Sequence, residues 1–360
     1  MSAASDGLEG IVAAETVLSH VDGESGHLIF RGHAIESLAG RSSQEAVAAL
    51  LWQGFVEAEP AAVASALGIA RSEAFALARP LLPAARGLTP VEGLRLLLAA
   101  LPDSAATPHH LLATAAMPVF VAALERDRQG QPLLAPDPSL SQAADFLRML
   151  RGAPATPDHV AALETYLVTV SDHGLNASTF TARVVASTRA GVFSSVVAAL
   201  CALKGPLHGG APGPVLDMLD AIGEESRIEP WLERAIGQGD RLKGFGHRVY
   251  RVRDPRADVL KGVATALRTG SNRIRFAELV EAGALRVLAR LKPGRRLDTN
   301  VEFYTALVLE ALALPRELFT PVFAVGRVVG WTAHILEQAQ AGRIIRPASH
   351  YVGPMPRVAA

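Results

Sequence analysis

Three histidines and one glutamate are the residues of this chain whose surroundings best suit proton transfer. They are His173 in "SDHGLNASTF" (171–180), His208 in "LKGPLHGGAPGPV" (203–215), His247 in "RLKGFGHRVYRVRDPRADVL" (241–260) and Glu302 in "NVEFYTALVLEAL" (300–312). Histidine titrates close to neutral pH, and a positioned carboxylate can remove a proton from carbon. Together with several arginines, this set suits proton abstraction from a carbon acid and recognition of carboxylates.

The segment around His247 carries a local excess of positive charge. Its basic residues are Arg241, Lys243, Arg248, Arg251, Arg253 and Arg256, and the first acidic residue after His247 is Asp254. Gly244 and Gly246 allow backbone N–H groups to approach a ligand closely, as phosphate sites often require. Asp254 and Pro255 predict a helix start. The pattern favours a phosphate-rich or polycarboxylate ligand, and its alternative is a solvated surface turn.

The other candidate residues have less specific surroundings. Arg327 lies in the apolar stretch "TPVFAVGRVVGWTAHILEQ" (320–338) without an acidic neighbour one turn away. A buried arginine without a partner is costly, so a carboxylate ligand is expected there. A histidine in a glycine-rich loop, such as His208, is more often structural, although a helix start near Pro212 would favour its neutral form. A carboxylate at a helix start, such as Glu302, is normally a surface cap.

Residue patterns disfavour several other kinds of site. His109 and His110 are adjacent, which prevents both rings from facing one metal on a helix, and the chain has neither a cysteine pair nor H-E-x-x-H, so no metal is predicted. The glycines near His247 match neither a dinucleotide fingerprint nor a P-loop. Nucleophilic catalysis is disfavoured because Cys201 falls in an apolar run predicted to be buried and no G-x-S-x-G occurs.

Composition favours a cytoplasmic globular protein of two lobes. The chain has 360 residues, which is long for one core, and equal numbers of Lys+Arg and Asp+Glu (35 each) disfavour a general nucleic-acid binder. A single cysteine allows no internal disulfide and fits a reducing cytosol. The N-terminus does not resemble a signal peptide, and the apolar run 184–203 contains Arg189, so no membrane association is expected.

The elements that must position these residues are predicted to be helices. Apolar residues recur at helical spacing in 44–56, 91–101, 111–127, 141–151, 158–172, 181–203, 256–268, 274–290, 302–313 and 317–340. Proline and glycine fall between these segments. The best alternating pattern is "HLIFRG" (27–32), which predicts a short strand. The fold class is therefore all-α.

Six segments resemble, in the same order, those of the citrate synthase family. They are "HGLNASTF", "KGPLHGG", "GFGHRVYRVRDPRA", "NVEFYTALVLEAL", "FTPVFAVGRVVGWTAHILEQ" and "RIIRPASHYVGP". "GLEGIVAAETVLSHVDGESGHLIFRG" is also similar, so the likeness covers nearly the whole chain. The resemblance implies a helical homodimer of the compact type. A large domain (1–208 plus 314–360) would form the dimer core, and a smaller mobile domain (209–313) would close over the active site.

The same resemblance implies an activity and a role for each candidate residue. The reaction condenses acetyl-CoA with oxaloacetate and hydrolyses the thioester to citrate and CoA, with no permanently bound cofactor. The resemblance assigns His208 to the thioester oxygen, His247 to the oxaloacetate carbonyl and Glu302 to the methyl proton. It assigns binding of the oxaloacetate carboxylates to His173, Arg256, Arg327 and, from the neighbouring subunit, Arg346. It assigns binding of the CoA phosphates to Lys243, Arg248 and Arg251.

Two positions depart from the family pattern and leave the function open. Glu302 stands where aspartate is usual, and Pro212 stands where asparagine is common. A misplacement of a catalytic group by about 1 Å can cost about 10²-fold in rate, so the extra methylene of Glu302 matters. The alternatives are a citrate synthase, a 2-methylcitrate synthase that uses propionyl-CoA, and a catalytically weak paralogue that binds dicarboxylate or CoA.

Overall fold

The computed structural model of the chain describes residues 6–8, 10–209, 212–267 and 272–355, and most of them are helical, as predicted. The helices are α1 (Ile35–Leu38), α2 (Gln44–Trp52), α3 (Pro60–Ala78), α4 (Leu82–Ala85), α5 (Pro90–Ala99), α6 (His109–Arg128), α7 (Gln142–Arg151), α8 (Pro157–Thr169), α9 (Ala177–Ala186), α10 (Val192–Leu203), α11 (Pro212–Ile222), α12 (Ile228–Gly237), α13 (Pro255–Ala266), α14 (Arg273–Leu291), α15 (Val301–Ala311) and α16 (Phe319–Ala341). Short 3-10 turns lie at Asp6–Leu8, Arg79–Leu81, Glu225–Arg227 and Arg316–Leu318.

A small antiparallel sheet lies near the N-terminus. It contains β1 (Ser19–Asp22), β2 (His27–Phe30) and β3 (His33–Ala34) in the order β1-β2-β3. The strand predicted at 27–32 is confirmed as β2, whose alternating residues Leu28 and Phe30 are buried against Trp52 and its neighbours. The sheet brings Ser19 to the loop that follows α8, where it contacts the candidate site.

Helix starts follow the capping chemistry of the sequence. The Asp254 side chain accepts a hydrogen bond from Arg256 N, and Pro255 is the first residue of α13, as predicted. Asn176 and Asn300 cap α9 and α15 in the same manner. These three caps begin helices beside the candidate histidines and Glu302, so they fix where the preceding loops enter the site.

One predicted helix is wrong in its extent. The run 181–203 is two helices, α9 and α10, because Arg189 and Gly191 both have left-handed backbone conformations, with φ of 63° and 88°. The break lies within apolar sequence, so hydrophobic spacing alone does not reveal it. Cys201 was also predicted to be buried, but it is exposed on the outer side of α10.

The longest helix, α16, lies at the centre of the protein. Two helical runs, Pro60–Ala85 and Arg316–Ala341, have the length and apolar composition of a membrane span. In the second, 89% of the most apolar window is buried within the protein. The apolar composition of α16 is therefore explained by packing against α6, α9, α10 and α2. Polar side chains on this helix are consequently buried between helices.

Candidate active site

The three predicted histidines converge from three separate loops. His173 follows α8, His208 follows α10, and His247 lies between α12 and α13. The rings of His173 and His247 are 5.4 Å apart between centroids, in an edge-to-face arrangement. His208 is close enough to contribute, after burial and nearby positive charges, to a pKa of His173 well below its ordinary value. The structure thus brings together side chains that are up to 74 residues apart along the chain, since 247 − 173 = 74.

Backbone hydrogen bonds fix the tautomer of His247. Its Nδ1 lies 3.0 Å from Val249 N and 3.1 Å from Tyr250 N, and both of these groups are donors. Nδ1 must therefore accept, and in the neutral ring the proton resides on Nε2. Burial, followed by the charge of Arg256, lowers the pKa of His247 to about 4. His247 is consequently a neutral hydrogen-bond donor at physiological pH.

His208 is neutral as well, but its tautomer depends on a serine. Burial, with a smaller effect of Arg327, lowers its pKa to about 4, so the predicted neutral form has a different cause from the helix start once expected. Its Nε2 lies 2.9 Å from Ser178 Oγ. Ser178 Oγ also donates to Asn176 Oδ1 at 2.8 Å and accepts from Trp331 Nε1 at 3.1 Å. When the single hydroxyl hydrogen points to His208, Nδ1–H of that ring is free to donate into the site.

His173 is the most deeply held of the three rings. It is 9% exposed, and its Nε2 lies 3.3 Å from Tyr250 Oη. The residue before it, Asp172, accepts hydrogen bonds from Ser19 Oγ at 2.5 Å and Gly174 N at 3.3 Å, and it faces His334 Nε2 at 3.3 Å. The loop that carries His173 is therefore held on both sides, by the N-terminal sheet and by α16.

Arg256 enters the site already paired with a carboxylate. Its Nε and Nη2 donate to the two oxygens of Asp254 at 3.0 and 2.8 Å. Burial disfavours the charged form, but the Asp254 carboxylate outweighs that effect and raises the pKa of Arg256. Asp254 also accepts from Val301 N at 3.1 Å, so the pair joins the starts of α13 and α15. Most of its charge is balanced within the protein, which leaves Arg327 to supply the net positive charge.

Arg327 is buried without a comparable partner, as the sequence suggested. It is 1% exposed, its Nε donates to Val170 O at 2.6 Å, and its guanidinium lies 4.8 Å from the centre of the Phe323 ring. Burial lowers its pKa to about 10, and the charge of Asp172 only partly opposes that shift. Within the described part of the chain, no carboxylate forms an ion pair with Arg327. An anionic ligand would therefore find an uncompensated guanidinium here.

Glu302 is joined to the His247 loop by backbone hydrogen bonds. Gly246 N donates to Asp298 O at 2.7 Å, and Asn300 N donates to Gly244 O at 2.9 Å. The Asn300 side chain completes the link: Nδ2 donates to Gly246 O at 2.8 Å, and Oδ1 accepts from Glu302 N at 3.0 Å. Gly244 and Gly246 have φ of 82° and 77°, a conformation that favours glycine. The loop and the start of α15 form one hydrogen-bonded unit.

The Glu302 carboxylate has the acidity of a general base at neutral pH. Burial raises its pKa to about 7 and Asp254 adds to that rise, whereas the charges of Arg256 and Lys243 oppose it. A base with a pKa near the working pH combines a useful ionised fraction with proton affinity. Glu302 is half-buried, so the surface-cap alternative, which requires an exposed side chain of ordinary acidity, does not fit.

One face of α16 holds the loops of the first two histidines. Arg327 bonds to Val170 O, Trp331 bonds to Ser178 Oγ, and His334 faces Asp172, at spacings of four and three residues. Gly330 lies among them, and its N–H donates to Ser171 O at 3.0 Å. A Cβ at Gly330 would lie 2.2 Å from Ser171 O, so a glycine is required for this close approach.

The remaining predicted site residues lie away from these contacts. Lys243, Arg248 and Arg251 are exposed on the His247 loop, and Arg346 is exposed on the extended segment after α16. The basic excess of 241–260 is smaller than it looks in sequence, because Arg253 pairs with Glu281 at 2.8 Å and with Asp258 at 2.6 Å. Part of that charge therefore pairs within the protein. Among the four exposed side chains, the one ion pair in the described structure is the long contact of Arg251 Nε with Glu24 at 4.0 Å, so these side chains remain available to ligands.

Several residues that position the site were missed in the sequence. Ser178 and Trp331 orient His208, and Asp172 and His334 hold the His173 loop. Tyr250 packs against both His173 and His247, with ring centroids 5.6 and 4.8 Å away. The signal that was available is the spacing of Arg327, Gly330, Trp331 and His334, which places polar and small residues on one helical face of an apolar segment.

Comparison with known proteins gives consistent relatives over the full chain. A family model described as "Citrate synthase, C-terminal domain" matches residues 7–348. The citrate synthase of Haloferax volcanii is 38% identical to this chain, covering 96% of this chain and 95% of that protein. Citrate synthase 2 of Bacillus subtilis is 35% identical, with 98% of this chain and 96% of that protein covered.

Solved structures extend the similarity to three dimensions. The crystal structure of citrate synthase from Thermotoga maritima superposes with a TM-score of 0.87 at 34% identity, covering 98% of this chain and 97% of that one. Citrate synthase from Thermoplasma acidophilum, in a ternary complex with carboxymethyl coenzyme A and oxaloacetate, superposes with a TM-score of 0.88 at 28% identity, covering 100% of this chain and 99% of that one. The all-α fold prediction is thereby confirmed.

Proposed function

The chain belongs to the citrate synthase family, and from that premise we propose that it condenses acetyl-CoA with oxaloacetate and hydrolyses the thioester to citrate and free CoA. The observation that carries the proposal is the hydrogen-bonded unit that joins His247, a neutral donor, to Glu302, a carboxylate with a pKa of about 7. A base and a carbonyl-activating donor fixed to each other suit a reaction in which a carbanion equivalent attacks a carbonyl.

In the first step, the Glu302 carboxylate takes a proton from the acetyl methyl group. The electron pair of that C–H bond forms an enol or enolate, whose oxygen accepts a hydrogen bond from His208. A methyl group beside a thioester is a weak carbon acid, so this donor matters; removal of such a donor typically costs about 10²–10³-fold in rate. The step requires the tautomer of His208 with its proton on Nδ1, in which the Ser178 hydroxyl turns from Asn176 Oδ1 to donate to His208 Nε2.

In the second step, the enol carbon forms a bond to the ketone carbon of oxaloacetate. The ketone oxygen gains charge, which a hydrogen bond from His247 Nε2–H stabilises, and the proton removed by Glu302 balances the one that the resulting hydroxyl acquires, so both residues return to their starting protonation states. The fixed tautomer of His247 means that this donor needs no reorientation during the reaction. In the last step, water adds to the thioester carbonyl, the C–S bond breaks and CoA leaves as the free thiol.

We assign the oxaloacetate carboxylates to His173, Arg256 and Arg327. Arg327 contributes the net positive charge and Arg256 contributes directed donors, because Asp254 balances its charge. The CoA phosphates would be held by the exposed side chains of Lys243, Arg248 and Arg251. These substrates stay bound only during turnover, and the proposal requires no resident cofactor.

We further propose a cytoplasmic homodimer with two domains in each subunit. Residues 1–208 and 314–360 would form the large domain, and 209–313 the small domain that closes over the substrates. Arg346 fits such a dimer, because it is exposed on the segment after α16 and its side chain forms no hydrogen bond or ion pair within the described structure. It would complete the oxaloacetate site of the neighbouring subunit.

The experiment that tests the proposal measures free thiol released from acetyl-CoA in the presence of oxaloacetate. Propionyl-CoA is tested in parallel, and we expect a higher kcat/KM for acetyl-CoA. A pocket discriminates one methylene by only about 1–3 kcal/mol, so both substrates should react. A higher value for propionyl-CoA would identify a 2-methylcitrate synthase, and no release from either by a protein that binds oxaloacetate would favour the non-catalytic paralogue.

Glu302→Gln tests the assigned base. The amide keeps the size of the side chain but accepts no proton, so kcat should fall by about 10²–10⁴-fold. Oxaloacetate binding, measured by calorimetry, should be retained because the arginines and His173 are unchanged. Unaltered turnover would remove Glu302 from its assigned role.

A further inference from the structure

A cavity far along α15 from Glu302 contains two arginines that lack carboxylate partners. The cavity has a volume of about 600 Å³, within the range of small-molecule sites, and is lined by Glu125, Arg126, Gln129, Gln131, Leu150, Arg151, Gly152, Ala313, Leu314 and Pro315. None of these residues belongs to the catalytic assignment above. They come from the ends of α6 and α7 and from the connection that follows α15.

The two arginines present unused donors to this cavity. Arg126 is 9% exposed; its Nε donates to Pro132 O at 2.5 Å, and its Nη1 approaches Leu150 O at 3.5 Å. Arg151 is half-buried; its Nη2 donates to Leu312 O at 2.8 Å, and its Nη1 lies 2.9 Å from His159 Nδ1. Arg126 Nη2 and Arg151 Nε donate to no atom of the described chain.

The charge of this cavity is positive. The one acidic lining residue, Glu125, is occupied by Arg128, which donates to both of its oxygens at 2.8 and 2.9 Å. Burial lowers the pKa of Arg151, and no carboxylate opposes that shift. Asp127, the acidic residue next to Arg126, pairs with Arg86 at 3.0 Å. Arg126 and Arg151 therefore keep two charges that an anion can balance.

We propose that this cavity binds a small multiply charged oxyanion, with phosphate or carboxylate groups, between Arg126 and Arg151. Guanidinium groups recognise such anions through paired N–H donors, and the exposed side chain of Gln131 adds an amide at the rim. The bonds of Arg126 to Pro132 O and of Arg151 to Leu312 O hold the guanidinium groups in place before a ligand arrives. The site also touches residues 313–315, so its occupant contacts the segment that leaves the helix of Glu302.

Equilibrium binding of two probes tests the proposal without reference to turnover. Inorganic pyrophosphate and malonate, titrated separately into the full chain by calorimetry at low ionic strength, represent the phosphate and carboxylate forms of the ligand. We expect binding of at least one probe, weakened about 10–100-fold by the double substitution Arg126→Gln/Arg151→Gln. No binding of either probe to the unaltered protein overturns the proposal.

Two further variants separate this cavity from the exposed cations of the His247 loop and from loss of folding. Lys243→Gln/Arg251→Gln removes exposed cations of the His247 loop and should leave the affinity unchanged; loss of binding in this variant instead would place the anion at that loop and overturn the proposal. Gln131→Glu leaves both arginines in place, so it should fold normally, and its added charge should weaken binding about 5-fold. Unchanged affinity in Gln131→Glu, relative to the charge-matched Gln238→Glu, also contradicts the site.

Discussion

The face of α16 that holds the His173 and His208 loops is buried, whereas the segment that holds His247 and Glu302 is open along one side. On the first, Arg327, Trp331 and His334 are at most 1% exposed. On the second, Lys243 and Arg248 are exposed, and position depends on three hydrogen bonds between the loop and residues 298–300. Packing fixes the first region and local hydrogen bonding fixes the second. Substitutions in the first should therefore reduce both stability and turnover, and those in the second should reduce turnover with little change in stability.

Of the substitutions that test this contrast between the two regions, Gly330→Ala is expected to have the largest effect, because it would disturb the buried region. The new Cβ would lie 2.2 Å from Ser171 O, a backbone atom that cannot move without shifting the His173 loop. We expect the free energy of unfolding to fall by about 1–3 kcal/mol and turnover to fall by about 10²-fold. Urea denaturation and thiol release measure the two quantities.

Gly262→Ala in α13 is the matched control for that substitution. A Cβ at Gly262 would meet nothing within 4 Å, and the residue is helical, so alanine should raise stability by about 0.4–1 kcal/mol. Equal behaviour of the two alanine variants would show that α16 does not need its close approach to residue 171.

A smaller effect is expected for Asn300→Ser, which tests the open region. Serine can still cap α15, but its shorter side chain loses the bond from Asn300 Nδ2 to Gly246 O. We expect kcat to fall by up to about 10-fold, consistent with one hydrogen bond, and the free energy of unfolding to change by less than about 1 kcal/mol. Asn272→Ser, at the start of α14 where the side chain makes no capping bond, should change neither. A stability loss in Asn300→Ser as large as that of Gly330→Ala would erase the contrast between the regions.

The smallest effect is a shift in the pH profile of kcat/KM. In the proposed mechanism the ionised form of Glu302 is the base, so activity should rise with pH through about 7, whereas His208 and His247, with pKa values of about 4, stay neutral above pH 6. Lys243 lowers the pKa of Glu302, so Lys243→Gln should raise that pKa and move the acid limb upward by a few tenths of a pH unit, about what an exposed charge contributes. An unchanged acid limb of the pH profile in Lys243→Gln would mean that Lys243 does not affect the pKa of Glu302.

Much of the helical architecture could be predicted from the sequence. The helical class, most helix positions and the start of α13 at Asp254–Pro255 follow from apolar spacing and capping residues, and the structure confirms them. The break between α9 and α10 could not be predicted, because a left-handed turn at Arg189 and Gly191 leaves no mark in hydrophobic spacing. Helix α3 was also missed, since its many alanines give a weak apolar face.

Candidate residues were easier to find than the residues that position them. His173, His208 and His247 stand out because glycine and proline surround them, whereas Ser178 and His334 look ordinary in sequence. The pairing of Arg256 with Asp254 was hidden for a different reason: Asp254 was interpreted as a cap, and it performs both roles at once. Which side chains share a hydrogen bond depends on contacts between distant segments, and a single sequence does not contain that information.

The bonds between 244–246 and 298–300 have a mechanical consequence. Because they join the backbone of His247 to that of Glu302, the proposed carbonyl-activating donor and the proposed base would keep a fixed spacing if this part of the chain moved. The loops of His173 and His208 form a second group, which hydrogen bonds attach to α16. In the proposed closure of the small domain, the active geometry would therefore form by bringing together two preassembled groups, and the spacing within each group would not depend on that movement.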